Sequence, residues 1–261
     1  MRKMLIITLF IIIIMIQTMM PIVVHADNTK GKFKLSVESK NNGNVMPYVL
    51  YSSPNASSTN KIPLIVYLSG LNVMGMVHEN KYTHQEVVNE VRSSGLPAVL
   101  ENWNLEGFNA YVLCPMIRTG WYETSNNWND SGVKKNLKKL VDNFKKEHNN
   151  VGDVILIGTS SGGVGALYVA NSYPGYFNKL IVLCGTAVLT DYSNLPKDTL
   201  CICGTNDNTA QRESLPVFKQ KLGEDKAYDM PGDHSTFIKA AFIEDTGDHV
   251  RNWSKWKFRF N

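Results

Sequence analysis

The segment that most constrains the fold is residues 154–169, which read VILIGTSSGGVGALYV. Four apolar residues that favour β-structure precede Gly158, and small residues typical of a tightly packed helix follow Gly162. The pattern G-x-S-x-G requires this strand, turn and helix context, because side chains at the glycine positions would collide with the neighbouring strand and helix. The pattern predicts that Ser160 stands in a strained turn with its hydroxyl above the sheet edge. The same residues also fit a turn that only joins a buried strand to a helix.

A serine at such a turn acts as a nucleophile only if an acid and a histidine lie near it in the fold. Asp207 follows the apolar run 199–203 and a glycine turn, which places it past the carboxyl end of a predicted strand. Asp191, after the preceding strand, is the competing acid, but no glycine turn precedes it that would direct its side chain toward the site. His234 lies on a predicted loop after a short strand. The order Ser160, Asp207, His234 is a known order of the serine triad, and these three are the candidate catalytic residues.

Two backbone amides are candidates for stabilising negative charge near Ser160. The strand predicted over residues 62–68 ends at Ser69 and Gly70, and the glycine allows a sharp turn that points the amide of Leu71 back toward the serine. The amide of Ser161 lies at the N-terminus of a predicted helix, where the helix dipole favours negative charge. Leu71 and Ser161 are therefore the predicted oxyanion-hole residues.

Residues 71–82 and residues 115–130 are predicted to form irregular segments near this site. The second segment carries aromatic residues among Gly, Asn and Thr, and aromatics on a loop after a strand end can line a substrate pocket. Packing onto the surface of the domain explains these aromatics equally well. The candidate substrate-binding residues are Asn72, Trp121 and Trp128.

The order of the predicted elements indicates an α/β fold. An antiparallel hairpin of residues 32–39 and 46–51 comes first, and apolar strands then alternate with helical segments, which is typical of a mostly parallel central sheet with helices on both faces. The later predicted strands are residues 62–68, 109–114, 153–157, 179–184, 199–203 and 226–230, and the predicted helices are residues 83–91, 131–147 and 162–172. Residues 96–100 begin a further segment of unassigned type.

Residues 1–26 are predicted to be a signal peptide, and residues 27–261 a single domain. Arg2 and Lys3 precede an apolar stretch at residues 5–24, and Val24-His25-Ala26 places small residues where a signal peptidase cleaves. We therefore expect cleavage after Ala26 and secretion. The apolar stretch is near the length that spans a bilayer, so an uncleaved N-terminal membrane anchor is the alternative.

The charge of the chain argues against nucleic acid as a partner. Loss of Arg2 and Lys3 with the leader lowers the formal net charge from +4 to +2, which is too small and too evenly spread for such binding. Six lysines between residues 134 and 146 alternate with apolar residues at helical spacing, so a solvated helix face is the simpler interpretation. Weak association with an anionic cell wall is the alternative. We expect a monomer.

The four cysteines lie within or at the ends of apolar runs that predict strands: Cys114, Cys184, Cys201 and Cys203. Their spacing fits no zinc-binding pattern. Buried thiols are therefore predicted. One bridge between neighbouring strand ends is the alternative, since an exported protein can form disulfides.

These motifs together resemble those of the α/β-hydrolase superfamily, in particular secreted bacterial esterases of the "predicted peptidase" type, related to feruloyl esterases and polyhydroxyalkanoate depolymerases. The matching segments are residues 46–51, 62–70, 96–100, 158–163, 204–207 and 232–234. One departure is that such proteins usually carry His-Gly where this chain has Ser69-Gly70. The backbone amide that serves the oxyanion is kept, but the histidine that orders that loop is missing.

The resemblance implies an α/β-hydrolase catalytic domain that cleaves a small-molecule or polysaccharide-linked ester through an acyl-enzyme on Ser160. It implies no metal or cofactor. An ester is favoured over a peptide because an amide also demands accurately placed protonation of a poor leaving group. A serine peptidase or amidase of the same fold is one alternative. A secreted carbohydrate-binding or cell-wall-binding protein without activity is the other.

Overall fold

The apolar runs of the sequence form the strands of one sheet. The computed structural model describes residues 22–25, 36–40, 46–53, 56, 60–70, 83–102, 109–117 and 127–236. Within these ranges the sheet contains nine strands. They are β1 (Ile22–His25), β2 (Ser36–Lys40), β3 (Tyr48–Ser52), β4 (Ile62–Leu68), β5 (Tyr111–Pro115), β6 (Val151–Thr159), β7 (Lys179–Leu183), β8 (Asp198–Gly204) and β9 (Ala227–Met230).

The sheet is mostly parallel, and its strand order is β1-β2-β3-β5-β4-β6-β7-β8-β9. Neighbours from β5 to β9 in this order are parallel, whereas β1, β2, β3 and β5 pair antiparallel. Central strands are buried along almost their whole length, as in Leu64, Leu156 and Leu180, because a parallel sheet is covered on both faces. The predicted fold class is confirmed, and β2 with β3 forms the predicted N-terminal hairpin.

Helices link the strands of the sheet. They are α1 (His84–Ser93), α2 (Gly95–Asn102), α3 (Ser131–Glu147), α4 (Ser161–Ser172) and α5 (Thr209–Leu222), with short 3-10 helices at Asn127–Asn129 and Glu224–Lys226. A capping box begins α1: the Thr83 side chain accepts from the Glu86 amide, and the Glu86 carboxylate accepts from the Thr83 amide. The Asp130 carboxylate caps α3 by accepting from two amides of its first turn.

Two helices were not expected from the sequence patterns. Residues 96–100, to which the sequence assigns no element type, form most of α2. The helix α5 carries Pro216 in its interior, and only Ser214 and Phe218 of its residues are buried. Its apolar periodicity is therefore too weak to predict a helix.

All four cysteines are buried and free, so the prediction of buried thiols is confirmed. Cys201 and Cys203 lie within β8, and Cys114 lies within β5. Cys184 follows the last residue of β7 and has a positive φ of 45°. The desolvation of each thiolate by burial raises the pKa of all four thiols, to about 11 for Cys203. In the absence of a bound metal ion, the thiols therefore stay mainly protonated near neutral pH.

The N-terminal strand β1 lies inside the predicted leader. It pairs with β2 at the edge of the sheet, and Val24 is aligned with Val37. Cleavage after Ala26 would remove β1 and leave β2 as the edge strand. As far as the structure describes the chain, its helices are all too short or too polar to cross a bilayer.

Four successive parallel strands deliver the loops that form the candidate site. The strands β6, β7, β8 and β9 are neighbours, so the segments after their carboxyl ends meet at one edge of the sheet. Ser160 follows β6 and Cys184 follows β7, while Asp207 and His234 lie just beyond β8 and β9.

Candidate active site

Ser160 has a strained backbone that the surrounding structure holds in place. Its φ is 56° and its ψ is −121°, a conformation that a residue with a side chain rarely adopts. The Ser160 amide donates to the Leu183 carbonyl at 2.8 Å, and its carbonyl accepts from the Val164 amide at 3.1 Å. The turn is therefore tied both to β7 and to the first turn of α4.

The glycines on either side of Ser160 are required by close backbone contacts. A Cβ atom at Gly158 would lie 2.0 Å from the Gly162 carbonyl oxygen, and one at Gly162 would lie 2.1 Å from the Leu68 carbonyl oxygen. Neither position can accept a side chain unless the backbone moves. The interpretation of the G-x-S-x-G pattern as a tight strand-to-helix turn is thus supported by these contacts.

His234 bridges Ser160 and Asp207. The Ser160 Oγ lies 2.9 Å from Nε2 of His234, and Nδ1 lies 2.6 Å from Oδ1 of Asp207. A carboxylate can only accept, so the proton of the neutral imidazole is on Nδ1 and the lone pair of Nε2 faces the serine hydroxyl. In this tautomer the imidazole can take the proton of Ser160.

The Asp207 carboxylate is fully buried, and several hydrogen-bond donors surround it. Its side chain has 0% exposure, and Oδ1 also accepts from the Asn208 amide at 2.7 Å. The amide of Gly204 approaches Oδ2 at 3.4 Å. Asp191, the competing acid of the sequence analysis, is exposed and instead accepts from the amide and hydroxyl of Ser193. The structure therefore places Asp207, and not Asp191, beside His234.

The loops that carry Asp207 and His234 are joined by backbone hydrogen bonds. The Thr205 amide donates to the Met230 carbonyl at 2.8 Å, and the Asn206 amide donates to the Gly232 carbonyl at 2.9 Å. A Cβ atom at Gly204 would lie 2.5 Å from the same Gly232 oxygen, so a glycine is needed for the loops to approach. The relative position of the acid and the histidine is thus set by backbone contacts.

Cys184 also lies at this site, although no sequence motif predicted it there. Its Sγ is 3.9 Å from Nε2 of His234, and its amide donates to the Ile202 carbonyl at 2.7 Å. Burial, followed by the charge of Asp207, raises the pKa of the Cys184 thiol well above its usual range. The available signal was its position directly after β7, between the strands that deliver Ser160 and Asp207.

Among the described residues, one group of side chains has the ligand types and spacing to hold a metal ion. It consists of Cys184, Asp207 and His234, whose ligand atoms lie within 4.8 Å of one another. The Asp207 oxygen already accepts from Nδ1 of the imidazole. Direct metal binding by this group would therefore involve the other ring nitrogen and the thiol.

The remaining predicted site residues are placed as follows. Ser161 is the first residue of α4, so its amide lies at the helix N-terminus beside Ser160. Trp128 is only 4% exposed, and a Cβ atom at Gly165 of α4 would meet its indole at 2.4 Å, so the observed contact of Trp128 is packing. Leu71, Asn72 and Trp121 lie outside the described residues.

Comparisons with known proteins identify a family and a fold. The model of the family described as "Esterase: Putative esterase" matches residues 39–260. An S-formylglutathione hydrolase from Agrobacterium tumefaciens superposes with a TM-score of 0.54 at 15% identity, covering 93% of this chain and 99% of that one. A ferulic acid esterase from Anaeromyces mucronatus has a TM-score of 0.53 at 14% identity, covering 88% of this chain and 96% of that one.

A thermostable esterase is also similar, with a TM-score of 0.51 at 17% identity over 84% of this chain. The chain spans 60% of the length of that esterase. The sequence has no significant match among curated proteins. At these identities the superpositions establish the α/β-hydrolase fold, and the family match confirms the esterase part of the resemblance that the sequence motifs indicated.

Proposed function

Because the chain belongs to this esterase family, we propose that it is a serine hydrolase that cleaves carboxylic esters, with Ser160 as the nucleophile. His234 would act as the general base and Asp207 as the residue that orients and supports the imidazole. The observation that carries this proposal is the pair of hydrogen bonds from Ser160 to His234 and from His234 to Asp207, at 2.9 Å and 2.6 Å.

The proposed reaction proceeds in two steps. His234 takes the proton of Ser160 as the serine oxygen attacks the carbonyl carbon, and the protonated imidazole then gives that proton to the departing alcohol. A water molecule next attacks the acyl-enzyme, again with His234 as base, and releases the acid. Asp207 stays ionised throughout and stabilises the imidazolium that forms in each step.

The oxyanion of each tetrahedral intermediate requires donors that are already in place. We propose the amide of Ser161 as one donor, supported by its position at the N-terminus of α4. The amide of Leu71 is the proposed second donor. In comparable sites the loss of one such donor costs about 3 kcal/mol of transition-state stabilisation.

Ester hydrolysis is proposed ahead of amide hydrolysis. The geometry supports proton transfer between Ser160 and His234, and an alcohol leaving group needs less accurately placed protonation than an amine does. A peptide would also need its leaving nitrogen aligned with Nε2. A panel of acetyl, butyryl, feruloyl and long-chain esters, run beside a peptide panel, distinguishes the two substrate classes and identifies the acyl preference.

The role of Ser160 is tested by covalent labelling and by substitution. A fluorophosphonate probe should label the wild-type protein at Ser160, and Ser160→Ala should abolish both labelling and hydrolysis of p-nitrophenyl acetate. The matched control is Ser172→Ala, because this exposed serine lies on the same helix and its hydroxyl donates to the Tyr168 carbonyl at the far end from Ser160. Wild-type turnover in Ser160→Ala would refute the proposed nucleophile, and failure of the wild type to label would favour a binding protein.

We also propose that the protein is exported with cleavage after Ala26, on the basis of the charged start, the apolar stretch and the small residues that precede the cleavage point. N-terminal sequencing of secreted material should then begin at Asp27. Material that begins at Met1 and stays with the membrane fraction would instead support an uncleaved anchor.

A further inference from the structure

Cys184 and Ser160 both face the reactive nitrogen of His234. The Cys184 Sγ lies 3.9 Å from Nε2 and the Ser160 Oγ lies 2.9 Å from the same atom. The proposed hydrolytic reaction uses the serine and the imidazole but has no role for the thiol. A cysteine sulfur and an imidazole nitrogen that lie close together are ligands that borderline-soft divalent metals prefer.

The distance between the thiol and the imidazole fits a bridging metal ion. Zinc lies about 2.3 Å from a cysteine sulfur and about 2.0 Å from a histidine nitrogen. With the observed Sγ to Nε2 distance of 3.9 Å, an ion at both bond lengths would subtend an angle of roughly 130°. A decrease of about 0.4 Å in the Sγ to Nε2 distance would bring this angle to the tetrahedral value.

Asp207 prepares His234 for metal binding as well as for catalysis. The carboxylate holds the proton on Nδ1, which leaves Nε2 with a free lone pair, 2.9 Å from the Ser160 Oγ and 3.9 Å from the Cys184 Sγ. Histidine ligands of zinc commonly donate their other N–H to a carboxylate, and this contact fixes the ring and increases its basicity. The hydrogen bond from His234 to Asp207 therefore supplies the outer contact that a zinc ligand requires.

We propose that Cys184, His234 and Ser160 form a binding site for a divalent ion of the zinc and cadmium type, and that the bound ion inhibits hydrolysis. The Cys184 thiol would lose its proton to solvent, and the sulfur and Nε2 would each donate an electron pair to the ion. The Ser160 oxygen and a water molecule would complete four ligands. The imidazole then has no lone pair left to accept the serine proton.

Among the described residues, the imidazole end of the site is partly exposed to solvent. The side chain of His234 is 30% exposed, whereas Cys184 is fully buried behind it. An ion would therefore enter past the imidazole and Ser160 and meet the thiol at the inner wall. This path coincides with the approach of an ester to the serine, so ion and substrate would exclude each other.

Inhibition of ester hydrolysis by the ion rests on the proposed function, whereas binding of the ion does not. The test therefore measures inhibition and binding separately. The first measurement is the half-inhibitory zinc concentration for p-nitrophenyl acetate, after treatment of the full-length protein with EDTA and removal of the chelator. Each variant is compared with its own activity in the absence of metal. Cys184→Ser should raise this concentration at least ~10-fold. The control Cys203→Ser removes a buried thiol of the neighbouring strand and should leave the half-inhibitory zinc concentration unchanged.

The second measurement detects the ion directly. Cadmium bound to a thiolate gives a ligand-to-metal charge-transfer band in the ultraviolet, which requires neither activity nor a substituted protein. Titration of the wild type should show this band saturating at one ion per chain, and Cys184→Ser should lose it while Cys203→Ser keeps it. No band in the wild type, or a band that persists in Cys184→Ser, would overturn the site.

The two measurements separate the two proposals. If Ser160→Ala proves that the serine is not the nucleophile but the cadmium band depends on Cys184, the metal site stands and the proposed reaction fails. If hydrolysis depends on Ser160 but zinc inhibits the wild type and Cys184→Ser equally, the metal site is refuted and the reaction stands.

Discussion

Replacing Asp207 with Asn removes one charge from the site while keeping the size of the side chain. Oδ1 accepts from both His234 and the Asn208 amide, whereas the Gly204 amide approaches Oδ2 at 3.4 Å. The NH₂ of the new Asn faces a backbone donor in either orientation, and the orientation toward the Gly204 N–H at 3.4 Å is favoured over that toward the Asn208 N–H at 2.7 Å because the two donors lie farther apart. The hydrogen bond to Nδ1 is kept, and what is lost is the charge opposite the imidazolium.

The size of this loss follows from the geometry. The charges of a carboxylate and an imidazolium joined by a 2.6 Å hydrogen bond are centred about 4 Å apart, and at an effective dielectric constant of about 20 their attraction is about 4 kcal/mol. Because the imidazolium exists only along the reaction, kcat should fall by about 10³-fold. If the Asn instead turns its NH₂ toward His234 and reverses the tautomer, the loss should approach about 10⁴-fold.

The assay is steady-state hydrolysis of p-nitrophenyl acetate, with thermal unfolding to establish that the variant is folded. The matched control is Asp191→Asn, because Asp191 is an exposed acid that accepts from Ser193 and has no contact with His234 among the described residues. This control should keep wild-type kcat and KM. A folded Asp207→Asn protein whose kcat lies within about tenfold of the wild type would refute the assignment of a charge-supporting role to Asp207.

Two further substitutions test the turn and its surroundings. Gly162→Ala places a methyl group 2.1 Å from the Leu68 carbonyl oxygen, so it should destabilise the protein by about 1–3 kcal/mol or more and reduce hydrolysis. Urea unfolding and turnover measure the two effects, and a wild-type unfolding midpoint would contradict the close contact. Trp128→Ala should cost about 3–5 kcal/mol of unfolding free energy through loss of packing on α4, with little change in KM. Unchanged stability with a raised KM would instead assign Trp128 to the substrate pocket.

The sequence predicted those parts of the fold and site that depend on local patterns. The apolar run before Gly158 predicts a strand, and the glycines around Ser160 predict a tight turn, because side chains at the glycine positions would collide with neighbouring backbone. Asp207 was correctly preferred to Asp191 as the neighbour of His234, since a glycine turn at the end of a parallel strand directs the next side chain toward the sheet edge.

The sequence could not predict features that arise from the alignment of distant segments. The approach of Cys184 to His234 depends on the register of β7 against β8 and on the loop after β9, and no local pattern encodes either. The packing of Trp128 depends on a gap at Gly165 in a helix far along the chain. The helix α5 was missed because its interior proline and few buried side chains give a weak periodic signal.

Because β9 lies at the end of the sheet, the order in which the strands join during refolding can be measured. Ser160 follows an interior strand, but His234 reaches it only through β9, which pairs with β8 alone within the described sheet. Early during refolding, a chain whose interior strands had already formed would be inert toward esters until this outermost strand joined. In such a folding order, recovery of turnover would lag behind recovery of intrinsic fluorescence, and stopped-flow refolding with both readouts would measure the delay.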